Sequence, residues 1–212
     1  MICISLGELS LQRCLRLLRK VEFAEIRLDR MALQEEDVRK IFSSHPRLIA
    51  TCRPGPFSEE KRKRLLLEAV NSGAAYVDIE IDSAEPFREA ISKRARQKGC
   101  RLIVSFHDYS RTPARQELRA LVRRCFSLGA DLAKISCFIR SPRDNARLLS
   151  LLAGRQPVIV TGMGPLGRIT RLAAPLCGSP FTYASLEKGK ETASGQIPLP
   201  ALETIWRYFR SE

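Results

Sequence analysis

Eight short apolar runs recur along this chain at intervals of roughly 20–30 residues, separated by helix-length stretches with apolar residues three and four apart. The runs are Ile2–Leu6, Phe23–Asp29, Arg47–Cys52, Tyr76–Ile81, Arg101–Phe106, Leu132–Ser136, Pro157–Thr161 and Phe181–Ala184. Between them, Leu11, Cys14, Leu15 and Leu18 mark one helical face, and Leu65, Leu66, Ala69 and Val70 another. Several runs are apolar and β-branched, as strands of a parallel sheet covered on both faces must be. No linker or change of composition divides the 212 residues. The expectation is an α/β chain forming one closed (β/α)₈ TIM barrel over residues 1–212. An open doubly wound sheet is the alternative, but no Gly-x-Gly-x-x-Gly follows the first run, where a dinucleotide site requires it.

Local signals place the helix ends. Ser58 before Glu59-Glu60 reads as an N-cap with an acidic first turn, and Ser141-Pro142 and Thr112-Pro113 put proline at a first helical position. Gly73, Gly99 and Gly129 fall where helices stop.

Composition removes several function classes. No apolar run approaches the roughly 18 residues of a membrane span. The N-terminus lacks the basic region and cleavage pattern of a secretory signal. Seven cysteines, scattered and without a Cys-x-x-Cys, read as small buried hydrophobes of a cytoplasmic protein rather than as disulfides or a zinc site. The net charge of +13 raises nucleic acid as a partner. However, Arg13, Arg16, Arg19 and Lys20, then Lys61 to Arg64, then Lys93, Arg94, Arg96 and Lys98, then Arg119, Arg123 and Arg124 belong to four different helices. Each set reads as a solvated outer face.

In a barrel of this kind the chemistry lies at the C-terminal strand ends. Glu25, Arg27 and Asp29 alternate along the second run, Arg53 follows the third, His107 the fifth, and Lys134 lies inside the sixth. Met163-Gly164 follows the seventh and leads through Gly167 to Arg171; after the eighth, the polar run from Lys188 to Gln196 is long enough for a lid. Lysine is rarely buried without a partner or a purpose. Among apolar neighbours its ammonium is disfavoured, and the neutral amine becomes a nucleophile. The bland alternative is a strand-end lysine reaching solvent along its methylene stem. The other histidine, His45, sits in a turn at the opposite end. No metal-ligand spacing and no phosphate loop emerge. An amine, an imidazole and several arginines at one mouth suit a carbonyl substrate that bears a carboxylate. A Schiff-base aldolase acting on a sugar phosphate and a basic binding protein are the competing readings.

Taken together, Glu25-Ile-Arg-Leu-Asp29, Thr51-Cys-Arg-Pro54, Asp78-Ile-Glu80, Ser105-Phe-His-Asp108, Lys134, Met163-Gly-x-x-Gly-x-x-Thr-Arg171 and Gly195-Gln-Ile197 resemble the type I 3-dehydroquinate dehydratases, in order and from Ile2 to beyond Ile197. The resemblance implies a homodimeric, metal-free and cofactor-free lyase of the shikimate pathway, converting 3-dehydroquinate to 3-dehydroshikimate and water. It implies a Schiff base at Lys134 and proton transfer by His107. Glu25, Arg27 and Arg53 would bind ring hydroxyls and order the charged network. Arg171 would hold the substrate carboxylate, with Thr192 and Gln196 in the lid.

Three positions depart from the family pattern. The usual Glu-Gly-Gly after Thr-x-Arg is replaced by a shortened Arg53-Pro-Gly-Pro-Phe-Ser58; the serine before Arg171 is Thr170; and the lid reads Thr192-Ala-Ser-Gly-Gln196, without the stiffening proline. The first departure removes the carboxylate that would orient the histidine. Glu80, ending the fourth strand, is the expected replacement; such a partner fixes one tautomer and raises the imidazole pKa. Glu59 and Glu60 read as solvated helix-start residues.

Overall fold

The computed structural model describes residues 1–210. Its strands are β1 (Ile2–Leu6), β2 (Ala24–Arg27), β3 (Leu48–Thr51), β4 (Tyr76–Glu80), β5 (Arg101–Asp108), β6 (Leu132–Phe138), β7 (Val158–Met163), β8 (Thr182–Ser185) and a short β9 (Ile197–Pro198). The α-helices are α1 (Leu11–Leu18), α2 (Glu35–Ser43), α3 (Glu59–Asn71), α4 (Glu85–Lys98), α5 (Arg115–Ser127), α6 (Pro142–Leu149), α7 (Arg168–Ala173) and α8 (Leu199–Arg210). All strand pairs are parallel, in the order β7-β6-β5-β4-β3-β2-β1-β8-β9. The sheet curls until β7 meets β8, where the described residues form no backbone ladder. The fold is therefore the expected eight-stranded α/β barrel, with β9 a ninth strand absent from the sequence reading. No described helix is long and apolar enough to cross a membrane.

Strand alternation sorts the side chains into two cores. On β6, Ala133, Ile135 and Cys137 join the large layer between sheet and helices, while Leu132 joins a second cluster with Cys3, Phe23, Ile49, Ile103, Ile159, Phe181 and Tyr183. That second cluster fills the lower barrel. One alternation further along each strand the side chains become polar: Ser5, Glu25, Thr51, Asp78, Ser105 and Lys134. An apolar floor thus carries a ring of buried polar groups.

Several boundaries moved. β2 ends at Arg27, and Asp29 sits in a 3₁₀ turn, Leu28–Arg30. β5 runs two residues past its apolar stretch, so His107 lies within the strand rather than after it. Ser58 caps α3 by accepting from Lys61 N, and Ser141 begins α6 in a capping box with Asp144. Thr112-Pro113, in contrast, precedes the helix: α5 starts at Arg115, and the Thr112 hydroxyl instead donates to Phe138 O at 2.8 Å. Two surface expectations also change. Arg62 is buried, donating to Cys52 O at 3.0 Å and lying over the Phe87 ring, and Cys177 is exposed where the other six cysteines are buried.

Candidate active site

The polar ring opens into a cavity of about 430 Å³ at the C-terminal strand ends. Glu25, Arg27, Arg53, His107, Lys134, Arg171, Thr192 and Gln196, all singled out from the sequence, line it together. His45 does not: its ring bridges Val21 O and Arg47 N in a turn elsewhere.

Lys134 is 5% exposed, so the solvent-reaching alternative does not hold. Its surroundings are not merely apolar either. The amine donates to Glu25 Oε1 at 3.2 Å and to Asp78 Oδ2 at 3.0 Å. Glu25 in turn accepts from Ser5 Oγ at 2.5 Å and Thr51 Oγ1 at 3.0 Å. Burial alone would push the Glu25 carboxyl up, but Lys134 and Arg27 outweigh it and hold the group below its usual range.

Arg53 knits the next strands together. One terminal nitrogen donates to Glu80 Oε1 at 2.7 Å and to Ser105 Oγ at 2.7 Å; the other donates to Asp78 Oδ2 at 2.6 Å. Against the desolvation of a fully buried site, Arg53 and Lys134 hold the Asp78 carboxyl well below the usual carboxylate range. Asp78, Ser105, Ser5 and Thr51 received no role from the sequence. Their signal was available all the same: each lies one alternation beyond a floor residue of its strand.

His107 Nδ1 stands 3.0 Å from Glu80 Oε1 and 3.2 Å from Oε2. The carboxylate beside the imidazole is therefore Glu80, and Glu59 and Glu60 are exposed in the first turn of α3. The expected rise in the imidazole pKa does not follow. Burial and then Arg53 push His107 below its ordinary value, and Glu80 offsets only part of this. These surroundings favour the neutral imidazole, and a proton on Nδ1 facing Glu80 would leave Nε2 as the accepting nitrogen.

Arg171 arrives from outside the sheet. Gly162 on β7 and Gly167 before α7 touch so closely that a Cβ on Gly167 would lie 2.4 Å from Gly162 C. This contact seats α7 against the strand. Thr170 locks the arrangement, accepting from Gly162 N at 2.7 Å and donating to Gly167 O at 2.8 Å. A serine hydroxyl could make the same bonds, so this departure is structurally neutral. Arg171 then enters at the open β7–β8 seam, 2% exposed, with Nη1 3.4 Å from Tyr183 O and Nη2 3.4 Å from Ser194 O. Its Nε finds no partner, and no carboxylate among the described residues pairs with it. Burial lowers its pKa to about 10, which still leaves it a cation at neutral pH. An unpaired buried guanidinium is costly unless an anion completes it.

The lid folds across the mouth. Gln196 Oε1 accepts from Thr192 N at 2.7 Å, and Thr192 Oγ1 donates to Ser5 Oγ at 2.6 Å, joining the lid to Glu25. Arg27 forms a two-pronged pair with Asp29 and donates to Thr192 O at 3.2 Å. Gly195, at φ +81°, lies against Gly164, where a Cβ would meet Gly164 O at 2.6 Å.

The buried carboxylates set an acid limit on stability. Glu25, Asp78 and Glu80 all have lowered folded-state pKa values. Their contribution is complete above the unfolded value near ~4 and is lost as pH falls toward the folded values. Thermal melts should therefore show Tm declining gently below about pH 6.5, where the depressed His107 begins to oppose protonation, and falling steeply below about pH 4 as the carboxylates are protonated. A flat profile down to about pH 3 would contradict the ion-pair network.

The arrangement can attack a carbonyl with an amine, move a proton at an imidazole beside it, and bind an anion across the cavity. Comparison with known proteins is in accord. The type I 3-dehydroquinase family model matches residues 2–211. The 3-dehydroquinate dehydratase of Methanocaldococcus jannaschii is 31% identical, with 98% of each chain covered, and that of Dehalococcoides mccartyi is 33% identical over 97% of this chain and 94% of the relative. The 3-dehydroquinate dehydratase structure from Geobacillus kaustophilus superposes with a TM-score of 0.85 at 29% identity, covering 100% of this chain and 92% of that one. The one from Aquifex aeolicus gives 0.83 at 27% identity, covering 100% of both. The chain belongs to the type I 3-dehydroquinase family of dehydratases.

Proposed function

We propose that this enzyme dehydrates 3-dehydroquinate to 3-dehydroshikimate through an imine on Lys134, within the shikimate route to chorismate and the aromatic amino acids. One observation carries the reading: a buried amine and an imidazole share a cavity with a buried guanidinium that lacks an acidic partner. A ketone bearing a carboxylate would satisfy all three groups.

The Lys134 ammonium passes one proton to His107, its freed Nζ adds to the ketone carbon, and His107 returns the proton to the carbinolamine hydroxyl, which leaves as water and gives a cationic iminium. That cation acidifies the neighbouring C–H, whose proton His107 Nε2 removes. The electron pair expels the β-hydroxyl, which leaves as water with the proton from His107. A water then hydrolyses the conjugated iminium, freeing product and amine. The net change is the loss of one water. Arg171 holds the carboxylate; Glu25 and Arg27 face the ring hydroxyls; Arg53 orders Asp78 and Glu80; Thr192 and Gln196 close the lid.

The assay is direct. Incubation with 3-dehydroquinate in the presence of a chelator should produce the conjugated enone absorbance of 3-dehydroshikimate at an undiminished rate. Cleavage of a carbon–carbon bond instead would assign the barrel to aldolase chemistry. We also place the chain in the cytoplasm, where its thiols stay reduced, and as a homodimer, which sedimentation velocity would report.

Glu80 is expected to hold the His107 tautomer. Because Glu80 raises the imidazole pKa, Glu80→Gln should lower it further. The acidic limb of the kcat/KM profile should then shift to lower pH, with kcat reduced roughly 10- to 100-fold. Glu59→Gln and Glu60→Gln should leave both unchanged. A crippled Glu59 or Glu60 variant beside a normal Glu80 variant would mean that the shortened loop supplies the carboxylate.

A further inference from the structure

Tyr183 has no part in the steps above, yet it lies directly against the nucleophile. The Lys134 amine sits 4.1 Å from the centroid of its ring. The residue is 3% exposed and lines the cavity. Its ring is fixed from below by Phe181, whose centroid is 5.5 Å away at 69°, and Phe181 is itself wedged edge-on against Phe23 at 4.9 Å. The amine therefore rests on a rigid aromatic floor.

The hydroxyl does not explain the placement. It is buried and finds no hydrogen-bond partner among the described residues. Burial also pushes the phenol well above its ordinary pKa, so it cannot serve as an anion. What the side chain offers the amine is the face of its π-system.

We propose that the Tyr183 ring supports the cation on Lys134 as the ammonium becomes an iminium. The inference rests on the Schiff-base reading of Lys134. An ammonium has three N–H donors, and two of them reach Glu25 and Asp78. A protonated imine keeps one N–H, so at most one of those bonds survives its formation. Attraction to the ring quadrupole requires no N–H and acts on the charge itself. It is the contact that persists when the hydrogen bonds are halved, at the stage when the cation must be held to acidify the neighbouring carbon.

Graded fluorination at this position separates electrostatics from packing, because fluorine drains the ring quadrupole with little change of shape. Tyr183→Phe keeps the ring face and should form the borohydride-trapped adduct with 3-dehydroquinate at a rate within about threefold of wild type. Loss of the orphan hydroxyl should also raise its Tm. Replacing that phenylalanine with mono-, di- and trifluorophenylalanine should slow trapping progressively, by about tenfold at the last member. Equal rates across a folded series would overturn the inference and leave the Schiff base standing. No adduct on the wild-type enzyme would overturn the Schiff base and the inference with it.

Discussion

Lys134→Met should abolish turnover, lowering kcat by on the order of 10⁴-fold or more, while the barrel remains folded. Methionine keeps the length and apolar stem of lysine but offers no amine, so no imine can form. Without an imine, the proton next to the ketone is too weakly acidic for His107. The substitution also removes one cation from Glu25 and Asp78. Asp78 keeps Arg53 and Ser105, whereas Glu25 keeps only the Ser5 and Thr51 hydroxyls among its direct donors. A cost of about 3 kcal/mol is expected from leaving a buried carboxylate short of its partner. It should appear as a lowered Tm, and far-UV circular dichroism should confirm a retained fold. Residual activity within about a hundredfold of wild type would remove Lys134 from the chemistry.

The second large effect is expected at Arg171. Its guanidinium is positioned by the Gly162–Gly167 contact and by two backbone carbonyls, and no carboxylate among the described residues pairs with it. A substrate carboxylate would meet a planar fork with matched donors. Arg171→Lys keeps the charge in name but replaces the fork with a strongly hydrated point charge on a stem that must enter a site 2% exposed. The expected loss is roughly 2–5 kcal/mol of binding, about a hundredfold or more in kcat/KM. A change under about threefold would place the carboxylate elsewhere in the cavity.

Much of this site was legible because β-strand alternation is strict. Lys134 stood out from Leu132-Ala-Lys-Ile135 only in combination with His107 one βα unit earlier; in the barrel it faces the axis because Ala133 and Ile135 face the helices. Glu80 as the neighbour of His107 followed from β4 preceding β5 and from the missing Glu-Gly-Gly. What failed to show was anything set by distance between strands. The sequence does not reveal that the Lys134 amine lies between two carboxylates, nor that Arg53 would draw the imidazole pKa down against the pull of Glu80. Both depend on ångström-scale spacing across the barrel. Arg62 misled for a related reason: it belongs to a charged run on α3, but its guanidinium lies over Phe87 and its Nε reaches Cys52 O. Thr112-Pro113 carried the signal of a helix start, and the Thr112 hydroxyl was instead taken by the carbonyl of Phe138.

The imine on Lys134 is tested most directly by reducing the enzyme with borohydride during turnover of 3-dehydroquinate and locating the added mass by peptide mass spectrometry. The mechanism predicts one stoichiometric adduct, of the reduced substrate or product skeleton, on the peptide containing Lys134. An adduct on another lysine, or active enzyme that yields none, would contradict it.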